Sequence, residues 1–214
     1  METLQTLERG LLALEVIAQH NARLTVAQLA EQLNINRTIA YRITRTLLQL
    51  GYIQSNEDQY LELTSKISTL NAYFEKSIPY NTQSALNHLA KQTQASASLV
   101  MAEGRDCVVV KTAAAHCNQL QVNYQLGSRL PIGLAASGLV IASTFPEQPD
   151  DSIELKRVRE AGYACTSGIF QKNTTGIFMP VPHRHMAIGV VHLGEIDQSY
   201  VLAQLREALM LLGS

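Results

Sequence analysis

Between Gln32 and Asn56 the chain carries Arg37, Arg42 and Arg45 but no acidic residue. The whole sequence of 214 residues is nearly neutral, with 17 Lys+Arg against 18 Asp+Glu, so the gap is a local feature. On a helical wheel at about 100° per residue, Ile39, Ile43, Leu47 and Leu50 fall in one arc roughly 80° wide. Arg37, Thr38, Tyr41, Arg42, Arg45 and Gln49 share the opposite arc, about 140° wide, with Leu48 as its one apolar intruder. Three guanidiniums, a phenol, a hydroxyl and an amide suit a surface that meets phosphates and base edges in a DNA major groove. A carboxylate there would repel the phosphate backbone. The plain alternative is a solvated face that happens to be basic, and three arginines alone do not separate the two.

Other reactive groups make weaker patterns. Ser137 lies in AASGL, which lacks the first glycine of a GxSxG nucleophile elbow. No glycine-rich loop is followed by the lysine of a phosphate-binding loop. His183 and His185 stand two apart and can share a strand face, yet zinc usually takes three or four protein ligands. After Pro180 and Pro182 they read as exposed loop histidines. Cys107, Cys117 and Cys165 are an odd set without CxxC spacing, which suits a reducing cytosol. Cys107 and Cys165 read as buried small hydrophobes within apolar strands. The expectation is therefore no catalytic residue, no metal and no cofactor. No apolar run approaches the roughly 20 residues that span a bilayer, and METLQTLERG is acidic where a signal peptide is basic. No membrane partner is expected, and the compartment is the cytoplasm.

The elements that would position the basic face are legible. Leu4, Leu7, Leu11, Leu14 and Ile17 predict an amphipathic helix over 4–19. Thr25 and Gln28 have capping-box spacing ahead of a second helix. Asn36 is a good N-cap for a third, which Gly51 ends. Strand-like YIQ (52–54) and YLEL (60–63) flank the turn-rich SNEDQ, whose Glu57 and Asp58 suit a phosphate-tracking wing poorly. Three helices and a hairpin outline a winged helix-turn-helix over residues 1–64. A linker helix follows at 65–79, with Ile67, Leu70 and Phe74 on one face. Residues 80–214 predict helices near 82–94, 135–145, 153–161 and 198–212. Strands are predicted at 96–102, 107–113 and 120–124 and within 163–193, with QLGSRLPIG as a loop. The class is α+β with an antiparallel sheet flanked by helices.

These residues also resemble the IclR-type bacterial transcription regulators. TLERGLLALEVIA is similar to that family's first helix, and LTVAQLAEQLNINRTIAYRITRTLLQLGYI to its helix-turn-helix. RLPIGLAASGLVIAS and REAGYAC resemble the segments beside its effector pocket. The resemblance implies double-stranded operator DNA as one partner, with Arg37, Thr38, Tyr41 and Arg42 at the positions that face it; the helical wheel adds Arg45 to the expected DNA-binding set. It implies a homodimer or homotetramer with contacts through the linker helix. It also implies a GAF-like domain holding a small organic acid or aromatic effector. Ala136 and Ser137 then stand at the positions whose amides meet the ligand, with Thr166 and Gly176 at two further pocket positions. Leu120, Val122 and Leu130 would supply the apolar wall, although core residues read the same way. An oligomerisation domain without a ligand, or an enzyme with an appended helix-turn-helix, are the rival readings.

Overall fold

The computed structural model describes residues 3–20, 23–115, 124–169 and 171–213. The chain divides into two compact units, Met1–Ile78 and Pro79–Ser214.

In the first unit, α1 (Gln5–Gln19), α2 (Val26–Gln32) and α3 (Arg37–Gln49) precede the hairpin β1 (Ile53–Ser55) and β2 (Leu61–Leu63), then α4 (Lys66–Glu75). Local chemistry sets the ends. The Thr25–Gln28 capping box is formed, and the Asn36 side chain accepts the Thr38 N–H at 2.8 Å, which satisfies amides that a helix start leaves unpaired. Gly51 takes the left-handed φ of 73° that ends α3. The core gathers Ala13, Ile17, Leu29, Ile43, Leu47, Ile53 and Leu61. The wheel misplaced Leu50, which is 53% exposed. It is the C-cap of α3, already turning away, and Ala40 and Thr44 fill the buried stripe instead. Leu4, which caps α1, and Leu7 and Leu11 on it form an exposed row, at 76%, 59% and 56%.

The second unit contains α5 (Thr82–Thr93), β3 (Ser96–Glu103), β4 (Asp106–Ala113), β5 (Arg129–Pro131), α6 (Ala135–Ser143), α7 (Ile153–Ala161), β6 (Ala164–Ser167), β7 (Thr174–Pro180), β8 (Met186–Leu193) and α8 (Gln198–Gly213). The strands form one antiparallel sheet ordered β5-β4-β3-β8-β7-β6. Val100, Val109, Phe178, Ala187 and Val191 pack with Leu139, Val140 and Ile141 of α6 on one face. Strand alternation turns Leu99, Ile177, Ile188 and Val190 to the other face, against which α5 and α8 pack. Burial on both faces explains why these strands read as continuous apolar runs.

Two expectations change, and a third lies beyond the described residues. β5 forms inside the stretch read as a loop and pairs with β4 through Cys107↔Leu130. Cys165 is exposed rather than buried, because it lies on the edge strand β6 between inward-facing Ala164 and Thr166. The predicted strand over 120–124 falls, apart from Tyr124, outside the described residues, as do Leu120 and Val122.

Candidate DNA-binding face and effector cavity

Arg37, Thr38, Tyr41, Arg42 and Arg45 all project from α3 into solvent. Among the described residues, none of the three guanidiniums has a carboxylate partner. The helix is held from its buried side, where the Thr44 hydroxyl donates back to the Ala40 and Tyr41 carbonyls at 3.0 and 3.1 Å. At its far end Lys66 donates to the Leu50 carbonyl at 2.7 Å and lies 4.5 Å from the centre of the Tyr52 ring. This ties the start of α4 to the end of α3. The hairpin has the opposite electrostatics. Gln54 and Asn56 donate to the Glu62 carboxylate at 3.0 and 2.9 Å and hold it below the usual carboxylate range. With Glu57 and Asp58 exposed at the turn, the wing is anionic while α3 is cationic. Of the hairpin and α3, only the helix presents cationic side chains.

In the second unit a cavity of about 10 Å³ lies under the start of α6, space for about one water. Its lining brings together Ala136, Ser137, Thr166 and Gly176, four of the residues expected there. Leu130 is not in the lining; it packs on the edge of the α6 core from β5. Tyr124, Ala135, Ile169, Thr174, Phe178 and Val191 complete the lining and were not anticipated. Phe178 and Val191 were within reach of sequence reasoning, being the alternation neighbour and the cross-strand partner of Gly176. Tyr124 and Ile169 come from connecting segments and carried no such signal.

The α6 start is unusual. Ala135 has a left-handed φ of 55°, a strained position for a residue with a Cβ. The Ala136 N–H then donates to the Thr166 hydroxyl at 3.0 Å. Gly138 is required by close packing, since a Cβ there would stand 2.7 Å from the Pro131 carbonyl oxygen. The Ser137 hydroxyl is buried, 4.0 Å from the Cys107 sulfur. Burial pushes the Cys107 thiol up, and burial, followed by the nearby Cys107, pushes the Tyr124 phenol up. At neutral pH both are uncharged, so the lining offers neutral hydroxyls and helix-start amides around apolar walls.

A profile of the IclR helix-turn-helix domain matches residues 6–57. The p-hydroxybenzoate hydroxylase transcriptional activator of Acinetobacter baylyi is 31% identical over 162 residues, covering 73% of this chain and 58% of that protein. The chain belongs to the IclR family. The Pca regulon regulatory protein of Pseudomonas putida is 26% identical over 144 residues, covering 66% of this chain and 49% of its own. The IclR chain thus spans about half the length of the curated relatives it matches. An IclR homolog from Microbacterium hydrocarbonoxydans, solved in complex with 4-hydroxybenzoate, has the same fold. Its TM-score is 0.76 at 15% identity, covering 95% of this chain and 97% of that one. These curated relatives are transcription regulators rather than enzymes. No helix among the described residues is long and apolar enough to cross a membrane.

Proposed function

We propose that this IclR-family protein regulates transcription by binding a pseudo-palindromic operator as a homodimer or homotetramer. Residues 1–64 bind DNA, 65–79 link, and 80–214 sense a small organic molecule and oligomerise. The observation that carries the reading is the carboxylate-free outer face of α3, where Arg37, Arg42 and Arg45 stand unpaired beside Thr38 and Tyr41. The helix-turn-helix profile over 6–57 supports the same assignment. Fluorescence anisotropy on DNA upstream of the protein's own gene, against a scrambled duplex and across salt concentrations, tests it. Arg42→Ala should weaken specific binding by about 1–3 kcal/mol per half-site. Equal affinity for both duplexes, fading steeply with salt, would leave only nonspecific phosphate attraction.

The effector is a small organic acid, with an aromatic acid favoured by the relatives that govern hydroxybenzoate and Pca genes and by the fold neighbour that binds 4-hydroxybenzoate. Its carboxylate would meet the first amides of α6, where the helix dipole favours an anion. Ser137, Thr166 and Gly176 would set the fit, and Leu120, Val122 and Leu130 remain candidates for an outer wall. The smallness of the cavity favours a second reading, in which the domain only oligomerises. Thermal unfolding with a panel of aromatic acids separates the two. A ligand at 100 times its Kd stabilises the native state by about 2.7 kcal/mol, whereas a pure scaffold shows no shift.

A further inference from the structure

The end of α3 is bonded twice over. The Gly51 N–H donates to the Leu48 carbonyl and the Tyr52 N–H to the Leu47 carbonyl, both at 3.0 Å, the pair of bonds that ends a helix around a left-handed glycine. The next three carbonyls are all taken by residues that lead into α4. Lys66 Nζ donates to the Leu50 carbonyl at 2.7 Å. The Thr64 hydroxyl donates to that of Gly51, and the Thr64 N–H to that of Tyr52 at 3.0 Å. The same hydroxyl accepts the Lys66 N–H at 3.3 Å. The hairpin keeps these two stretches opposite each other, since Ile53 pairs with Leu63.

These bonds carry weight because packing does not fix the start of α4. None of its 10 residues is buried, and the Ser65 side chain makes no cap bond. Leu70 and Tyr73 are 53% and 68% exposed. A helix joined in this way can swing about the chain that enters it unless a contact from the helix itself crosses the joint. Lys66 makes such a contact. It is the first residue of α4, and its ammonium reaches back to Leu50, the C-cap of α3. The carbonyls at that end have no partner within their own helix and carry the partial negative charge of its dipole. The ammonium also stands 4.5 Å from the centre of the Tyr52 ring, within reach of a cation–π contact. Thr64 fixes where the chain arrives, and Lys66 fixes the direction in which α4 leaves.

We propose that Lys66 is a positioning residue for operator binding, which sets the angle between α3 and α4 and so the span between the recognition helices of a paired protein. The inference rests on the reading of 1–64 as DNA-binding and of 65–79 as the link. When a paired protein meets two half-sites, the second contact is intramolecular, and its effective concentration depends on how well the linker presets the span. The test compares Lys66→Met, which keeps the stem and loses the donors, with Lys66→Arg, which keeps donors and charge. Each full-length variant is titrated by anisotropy, across salt concentrations, on upstream duplexes carrying both half-sites or one. Lys66→Met should bind the double site about tenfold more weakly and the single site within about twofold of the native protein. Its salt slope should be unchanged, and Lys66→Arg should restore affinity. Equal loss on both duplexes, with a slope flattened by about 1 per half-site, would make Lys66 a phosphate contact and overturn the proposal. Undiminished affinity for the double site would overturn it as well. Hydrogen exchange without DNA separates this inference from the DNA-binding reading. Lys66→Met should speed amide exchange in α4 and leave Ile43 and Leu47 of α3 protected. Unchanged exchange in α4 would sink the latch whether or not the chain binds an operator.

Discussion

Thr166 occupies the place that an effector's carboxylate would need, because its hydroxyl holds the Ala136 amide at 3.0 Å. Thr166→Val keeps the side chain's shape and leaves that amide unpaired, which should lower stability by about 1 kcal/mol without ligand. If 4-hydroxybenzoate binds at this amide, the variant should bind it more tightly, as calorimetry would show. Weaker binding would mean that Thr166 is itself a ligand donor. Gly176→Ala is a complementary test. Its Cβ would stand 3.7 Å from Ala136 Cβ and 3.9 Å from Phe178 and Val191, ordinary contacts that fill the small cavity. Unfolding should stay within about 1 kcal/mol of the native protein, while any thermal shift with aromatic acids should disappear. Ala136, Ser137, Thr166 and Gly176 were legible through a family resemblance in their surrounding motifs. Tyr124 and Ile169 were not, because they reach the cavity from connecting segments whose path no local pattern fixes.

Elements with their own end signals were the legible ones. Thr25, Asn36 and Gly51 each bracket a helix through a local hydrogen bond or a φ requirement. β5 has no such signal, being three residues of which two are exposed, and it exists only because β4 offers an edge. Cys165 was misread for a related reason, since an edge strand can leave one face uncovered even where its composition is apolar. Another non-local device holds α7 and the connection before it to α6. Arg159 donates to the carbonyls of Ser143 and Phe145 and, through Nε and Nη2, to Asp151 at 3.1 and 2.9 Å. Its side chain is only 18% exposed and that of Asp151 10%. Arg159→Met fills similar space but strands a carboxylate and two carbonyls, so denaturant unfolding should show a loss of about 2–4 kcal/mol. Asp151→Asn with Arg159→Met should recover part of it, since the stranded charge is then gone.

At the scale of the whole molecule, a net charge of -1 hides a cationic helix beside an anionic wing. Operator binding should therefore depend on salt through α3 rather than through the wing. Each phosphate contact contributes about -0.9 to the slope of log affinity against log salt. Alanine at Arg37, Arg42 or Arg45 should flatten the slope by about 1 per half-site where that arginine meets a phosphate. Where it meets a base edge, the substitution should instead relax the preferred sequence and leave the slope nearly intact. The row of Leu4, the cap of α1, with Leu7 and Leu11 has a different kind of consequence. Leucines this exposed make the lone chain a poor solute, and a second copy is the partner always at hand. If pairing covers them, the amount of operator-competent protein at low abundance scales with the square of the amount synthesised. Halving expression would then cut the paired form about fourfold. Gene dosage, as much as any metabolite, would set how sharply such a circuit responds.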